Sequence, residues 1–170
     1  MKERVGALMT EMVFVLVSVA VLKEWLFPFF IRNWFADADL VSAQLELTAV
    51  LAGAITALIY TGLGSAAKHV HGLTYAQSLG AFAAVHAPVL VGRIPAGDPL
   101  SLFRSVHLTW EGLLGDALAP FRVVEPEFLS NAVLLLTLLL YTMGRGIRVE
   151  DGQEREKPAE QRVRIRSFRS

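Results

Sequence analysis

Apolar residues run almost unbroken through four stretches of the chain. They lie at roughly 5–27, with MVFVLVSVAVL at its centre, at 46–65, at 73–92 and at 127–144. A bilayer core of about 30 Å takes about 20 mainly apolar residues as a helix, and these stretches come near that length. None alternates with the period of two that a barrel strand requires. A helix pairs every backbone polar group internally, as lipid demands. The pattern therefore predicts an all-α, polytopic membrane protein with about four transmembrane helices.

A fifth segment, PLSLFRSVHLTWEGLLGDALAPF at 99–121, has a different pattern. Its apolar positions recur at helical spacing, while Arg104, Glu111 and Asp116 fall mostly on the other side. An amphipathic helix over about 99–119 that lies on the membrane surface is expected, with a tilted fifth span as the alternative. The helical domain then covers 1–148. The remaining 149–170, EDGQEREKPAEQRVRIRSFRS after Val149, keeps no apolar period until its end and is expected to be a disordered tail.

Composition sharpens this reading. Of 170 residues 54% are hydrophobic and 19% charged, and formal net charge is zero, so no basic balance points to nucleic acid. Half of the 16 Lys and Arg residues lie from Arg145 onward. With four spans, the N-terminus, the 66–72 loop and the tail carry 11 basic residues, against 4 at Arg32, Arg93, Arg104 and Arg122. That asymmetry predicts a multi-pass protein of the cell membrane with both termini cytoplasmic. Lys2 and Arg4 ahead of an apolar run resemble a signal peptide. No A-x-A-like site precedes a soluble domain, so a retained first helix is expected. Cysteine is absent, which excludes disulfides, thiolate catalysis and cysteine zinc sites.

Candidate chemistry is sparse. Lys23 and Glu24 interrupt the first stretch just before an aromatic run, Trp25 to Phe35. At a helix exit near residue 22, Lys23 snorkels to the headgroups, the aromatics form an interfacial belt, and Pro28 ends or kinks the helix. The other reading buries the pair inside a span at 12–31. Neighbouring side chains diverge on a helix, so that reading needs partners on other helices. Small residues recur every fourth position at Ala49, Gly53 and Ala57, and again at Ala76, Gly80 and Ala84. They predict an antiparallel hairpin packed through both stripes, or contact between copies of the chain, rather than chemistry. GLGS at 62–65 reads as a helix stop.

His86 and Pro88 lie inside the third stretch. Pro88 withholds a backbone donor, so a hinge or polar cavity is one reading. His86 is either a proton-relay group or a neutral histidine bonded across helices. His69 and His71 form only a weak set for a metal site, and a hydrolase built on Ser65 with His86 as base is only a formal, minor alternative. No motif for hydrolysis, phosphate binding or zinc occurs. No catalytic residue, cofactor or metal is expected. The basic end, RVRIRSFR at 162–169, is a candidate contact for anionic lipid.

The stretch ALIYTGLGSAAKHVHGLTYAQSLGAFAAVHAPVLVG, residues 57–92, resembles the central part of the Yip1 family of membrane proteins. A helix there ends in a short basic loop with a glycine, here Gly72. The next helix opens on a polar start, here Thr74, Tyr75, Gln77 and Leu79, and runs to a proline pattern, here Pro88, Leu90 and Gly92. The family usually has one span more than is expected here. The resemblance implies a helical membrane protein without established enzymatic activity. Eukaryotic members act in vesicle trafficking with small GTPases, and bacterial members are largely uncharacterised. A Yip1-like protein acting by helix packing or as a scaffold for a second copy or another membrane protein is the functional expectation. A transport or proton-coupled component built on Lys23, Glu24, His86 and Pro88 is the alternative.

Overall fold

The computed structural model describes residues 2–92, 101–118 and 126–147. The charged tail 149–170, with its candidate lipid contact, lies outside them. All the described regular structure is helical: α1 Lys2–Val21, a π-helical turn Leu22–Leu26, α2 Phe27–Trp34, α3 Ala38–His69, α4 Tyr75–Val91, α5 Ser101–Leu118 and α6 Pro126–Gly144.

Each boundary has a local cause. The side chain of Asp37 caps α3 by accepting from the amides of Asp39 and Leu40. At the other end Val70 and His71 donate back to the Ala66 carbonyl and Leu73 to that of Ala67. Gly72 takes φ +62°, a conformation that suits glycine. Thr74 and Gln77 form a reciprocal capping box at the start of α4. The polar start of α4 is thus a helix-start signal.

The first apolar stretch does not end at residue 22. Helix runs from Lys2 to Trp34, with a change of register in the π turn. Pro28 is the second residue of α2 within this continuous helix, where its ring and missing amide disturb the preceding turn. The widened turn lies immediately ahead of it. GLGS is likewise no stop, because α3 continues to His69. Two helices, Lys2–Trp34 and Ala38–His69, are long and apolar enough to cross a membrane among the described residues. Tyr75–Val91 and Phe128–Gly144 are shorter apolar helices.

α3 is the central element, flanked by α6 and α5. Its crossings are made at glycines. A β-carbon on Gly64 would strike the Tyr141 carbonyl, and one on Gly144 would strike that of Thr61. Gly53 packs in the same way against Ala117 of α5, and Gly92 at the end of α4 packs against the Phe103 carbonyl. At 1.5 Å per residue, Gly53 and Gly92 both lie roughly 25 Å along their helices from the α3–α4 loop. α5, held at these two points, therefore runs across the bundle at that level.

The α3–α4 hairpin expected from the small-residue stripes is not the packing observed. Gly53 serves α5, Ala49 and Ala57 are half-buried, and Ala76, Gly80 and Ala84 are exposed. α4 instead buries Ser78, Ala81, Phe82, His86 and Val89. A large aromatic face gains more contact than a stripe of methyls, which decides the rotation of the helix.

Candidate functional site

Two polar centres and a groove stand out among the described residues. In the first centre Tyr60 of α3, His86 of α4 and Trp110 of α5 meet, all buried. The Tyr60 hydroxyl lies 2.8 Å from His86 Nε2. Trp110 Nε1 donates to the same hydroxyl at 2.7 Å, and His86 Nδ1 lies 2.8 Å from the Phe82 carbonyl. A carbonyl only accepts, so Nδ1 carries the proton. Nε2 is then the acceptor for the Tyr60 proton. Every member has a partner and the imidazole is neutral. Phe82 stacks on it with 4.0 Å between ring centroids. The geometry matches a neutral histidine bonded across helices. Tyr60 and Trp110 had no motif to announce them; an aromatic with a polar tip inside an apolar run is the only signal either gives.

The second centre lies in the π turn. Lys23, only 7% exposed, donates to Asp116 of α5 at 2.6 Å and to Glu24 at 2.9 Å. Lys23 is thus held against two carboxylates rather than extended freely outward. The lysine pairs with its neighbour as well as with another helix, because both long side chains bring their tips together beside Asp116. Gly112 makes room for the ammonium: a β-carbon there would lie 3.1 Å from Nζ. The carboxylates stay half-exposed, at 43% for Glu24 and 57% for Asp116. The cluster holds one buried cation and two outward anions.

The polar side of α5 is tied elsewhere too. Glu111 accepts from Ser130 of α6 and lies 3.2 Å from His107 Nε2. Below the cluster, a groove of about 550 Å³ opens between α1, α4 and α5. Its walls include Val13 and Val17 of α1, Pro88 and Val89 of α4, and Val106 and Leu113 of α5. Ser105 and Thr109 add two hydroxyls to an otherwise largely apolar lining. Pro88 thus borders a groove, and it is an apolar one.

The remaining candidates separate. His71 Nε2 lies 2.9 Å from Glu11 Oε2 of α1, while His69 is exposed. Ser65 donates to the Ile147 carbonyl at 2.8 Å. Arg145, at the end of α6, donates to Ser78 Oγ at 2.6 Å and to the Leu73 carbonyl at 3.1 Å. Among the described residues no group of three or more His, Asp or Glu side chains is placed to hold a metal ion. Comparison with known proteins gives no match to a family model, a curated protein or a solved structure.

Proposed function

We propose that the chain is a non-enzymatic, multi-pass membrane protein in which α1, α3, α4 and α6 cross the bilayer and α5 lies near one interface. It acts as a binding scaffold, as a Yip1-like protein would. Length supports the spans. α3 and the helix Lys2–Trp34 pass the length and apolarity needed, and α4 and α6 measure about 26 and 29 Å at helical rise, against a core of about 30 Å. The height of α5, roughly 25 Å from the α3–α4 loop, is consistent with an amphipathic helix near the far side of such a core and supports that reading. The excess of Lys and Arg at the N-terminus, in the 66–72 loop and in the tail supports cytoplasmic termini.

The observation that carries the scaffold reading is the separation of the polar centres. A transport path needs ionisable groups converging on a wet cavity. Here His86 is closed off by Tyr60 and Phe82, Lys23 by Asp116 and Glu24, and the groove between α1, α4 and α5 is mainly apolar. Exposed apolar side chains such as Phe14, Leu58 and Leu135 face lipid in this reading, or a second copy or another membrane protein.

Single-cysteine labelling tests it, since the chain has no cysteine of its own. Glu3→Cys and Lys68→Cys are expected to react with a membrane-impermeant maleimide only from the cytoplasmic side, Asp39→Cys only from outside, and His86→Cys from neither. Reaction at position 86 from water would put a wet path beside the polar centre and replace the scaffold with the transport component.

A further inference from the structure

Resting on the membrane reading above, we propose that the groove between α1, α4 and α5 holds one hydrocarbon chain of an amine-headed phospholipid, whose ammonium docks on Glu24 and Asp116. Two features meet at one place. Ala20 and Leu113 line the groove. Lys23 is one helical turn beyond Ala20, and its Nζ lies against Gly112, the neighbour of Leu113. The apolar groove thus leads directly to the charged cluster, and together they match an amphiphile with a tail and a polar head.

The charge of the cluster selects the head. With its cation buried and its two carboxylates half-exposed, the cluster presents net negative charge outward. A headgroup ammonium finds acceptors there in charge-assisted hydrogen bonds. An anionic head meets repulsion, and a quaternary head has no N–H to donate. The site also falls on a π-helical turn, a distortion frequent at functional positions. The groove volume, about 550 Å³, lies within the usual range of small-ligand sites, about 300–1,000 Å³. Polar binding at the cluster alone would leave the apolar groove without a role, whereas a bilayer lipid fills both.

Trp110 lines the groove and supplies the probe. The chain has three tryptophans, so Trp25→Phe with Trp34→Phe leaves Trp110 as the single fluorophore. The full chain is placed in nanodiscs of phosphatidylcholine. Chain-brominated phosphatidylethanolamine, phosphatidylcholine or phosphatidylglycerol is added as a minor component. Phosphatidylethanolamine is expected to quench Trp110 at about a threefold to tenfold lower fraction than either of the others, the scale of one charge-assisted contact. Glu24→Gln with Asp116→Asn is expected to erase the preference and keep the quenching. Asp116→Asn alone, which leaves Glu24 on the lysine, is expected to give an intermediate preference. Val17→Phe with Val106→Phe, which narrows the groove from both walls, is expected to remove the quenching.

Equal quenching by the three headgroups, or a preference for phosphatidylglycerol, overturns the amine assignment. No quenching of Trp110 by any of them overturns the site. Trp25 and Trp34, each 76% exposed, separate this from failure of the membrane reading. If brominated lipid quenches them in the unmodified chain, the protein is embedded and only the groove proposal has failed. If it does not, the membrane reading falls first.

Discussion

Where α3 meets α6 the two backbones touch, and where α1 meets α5 a groove parts them. On the first side Gly64 and Gly144 each admit the carbonyl of the other helix. Ser65 reaches the Ile147 carbonyl, Tyr141 donates to the Ser78 carbonyl at 3.2 Å, and Arg145 ties the end of α6 to the start of α4. On the second side valines line open space, and the strongest tie is an ion pair with half-exposed carboxylates. The Tyr60–His86–Trp110 network stands at the seam. One side is held by shape and cannot take an atom more, and the other is held by charge and has room. Close backbone approach suits a structural joint, and room beside a charged cluster suits a ligand.

The largest effect is expected from a single methyl on the closed side. In Gly64→Ala the new carbon overlaps the Tyr141 carbonyl, which is backbone and cannot rotate aside. The helices must separate, at a cost of about 3 kcal/mol, the upper part of the usual overpacking range. Unfolding in detergent measured by SDS titration reads it directly. An unchanged midpoint would mean that the closed side has slack. The open side is next. Glu24→Gln with Asp116→Asn leaves the buried Lys23 ammonium without a counter-charge and is expected to cost about 2 kcal/mol. That is less than a fully buried pair, because water reaches both carboxylates. Lys23→Met, which frees two carboxylates that water can solvate, should cost less than this double variant in the same titration.

Much of the helical layout is readable along the chain, and little of the joinery is. The apolar runs 46–65, 73–92 and 127–144 correspond to α3, α4 and α6, and the amphipathic stripe at 99–119 to α5 at Ser101–Leu118. Thr74 and Gln77 form a cap at a spacing that a sequence reveals. Periodicity does not reveal partners. Lys23 and Asp116 are 93 positions apart, and nothing local to either names the other. The small-residue stripes mislead for the same reason. Glycine permits close approach but does not attract, so Gly53 and Gly64 go to α5 and α6 while Gly80 stays exposed. The aromatic run after Glu24 reads as an interfacial belt at a helix exit, with Pro28 ending or kinking the helix, whereas a register change lets the helix pass it.

The seam gives the third effect. Tyr60→Phe removes one oxygen and leaves two buried groups, the Trp110 N–H and His86 Nε2, without that partner. Two lost bonds of the size measured inside membrane bundles, with some penalty for burial, come to about 1.5 kcal/mol. A near-ultraviolet circular dichroism change at the Trp110 band should accompany the lower SDS midpoint. A lower midpoint with an unchanged Trp110 signal would show that the two halves are not coupled through this hydroxyl.

The smallest effect gives the sharpest contrast. Val17→Phe with Val106→Phe adds two aromatic rings, far more volume than the methyl of Gly64→Ala. Both positions border the groove, and both are about half-exposed, at 55% and 41%. The new rings enter open space, and under the lipid proposal they only replace hydrocarbon contacts there, so little is expected to be gained or lost. The expected change in unfolding free energy is under about 0.5 kcal/mol, the ordinary range for substitutions that touch no buried feature. A loss near that of Gly64→Ala would mean that α1 and α5 close on each other and that the groove is part of the core. A negligible loss, with lipid quenching of Trp110 abolished, would separate what the groove binds from what keeps the bundle folded.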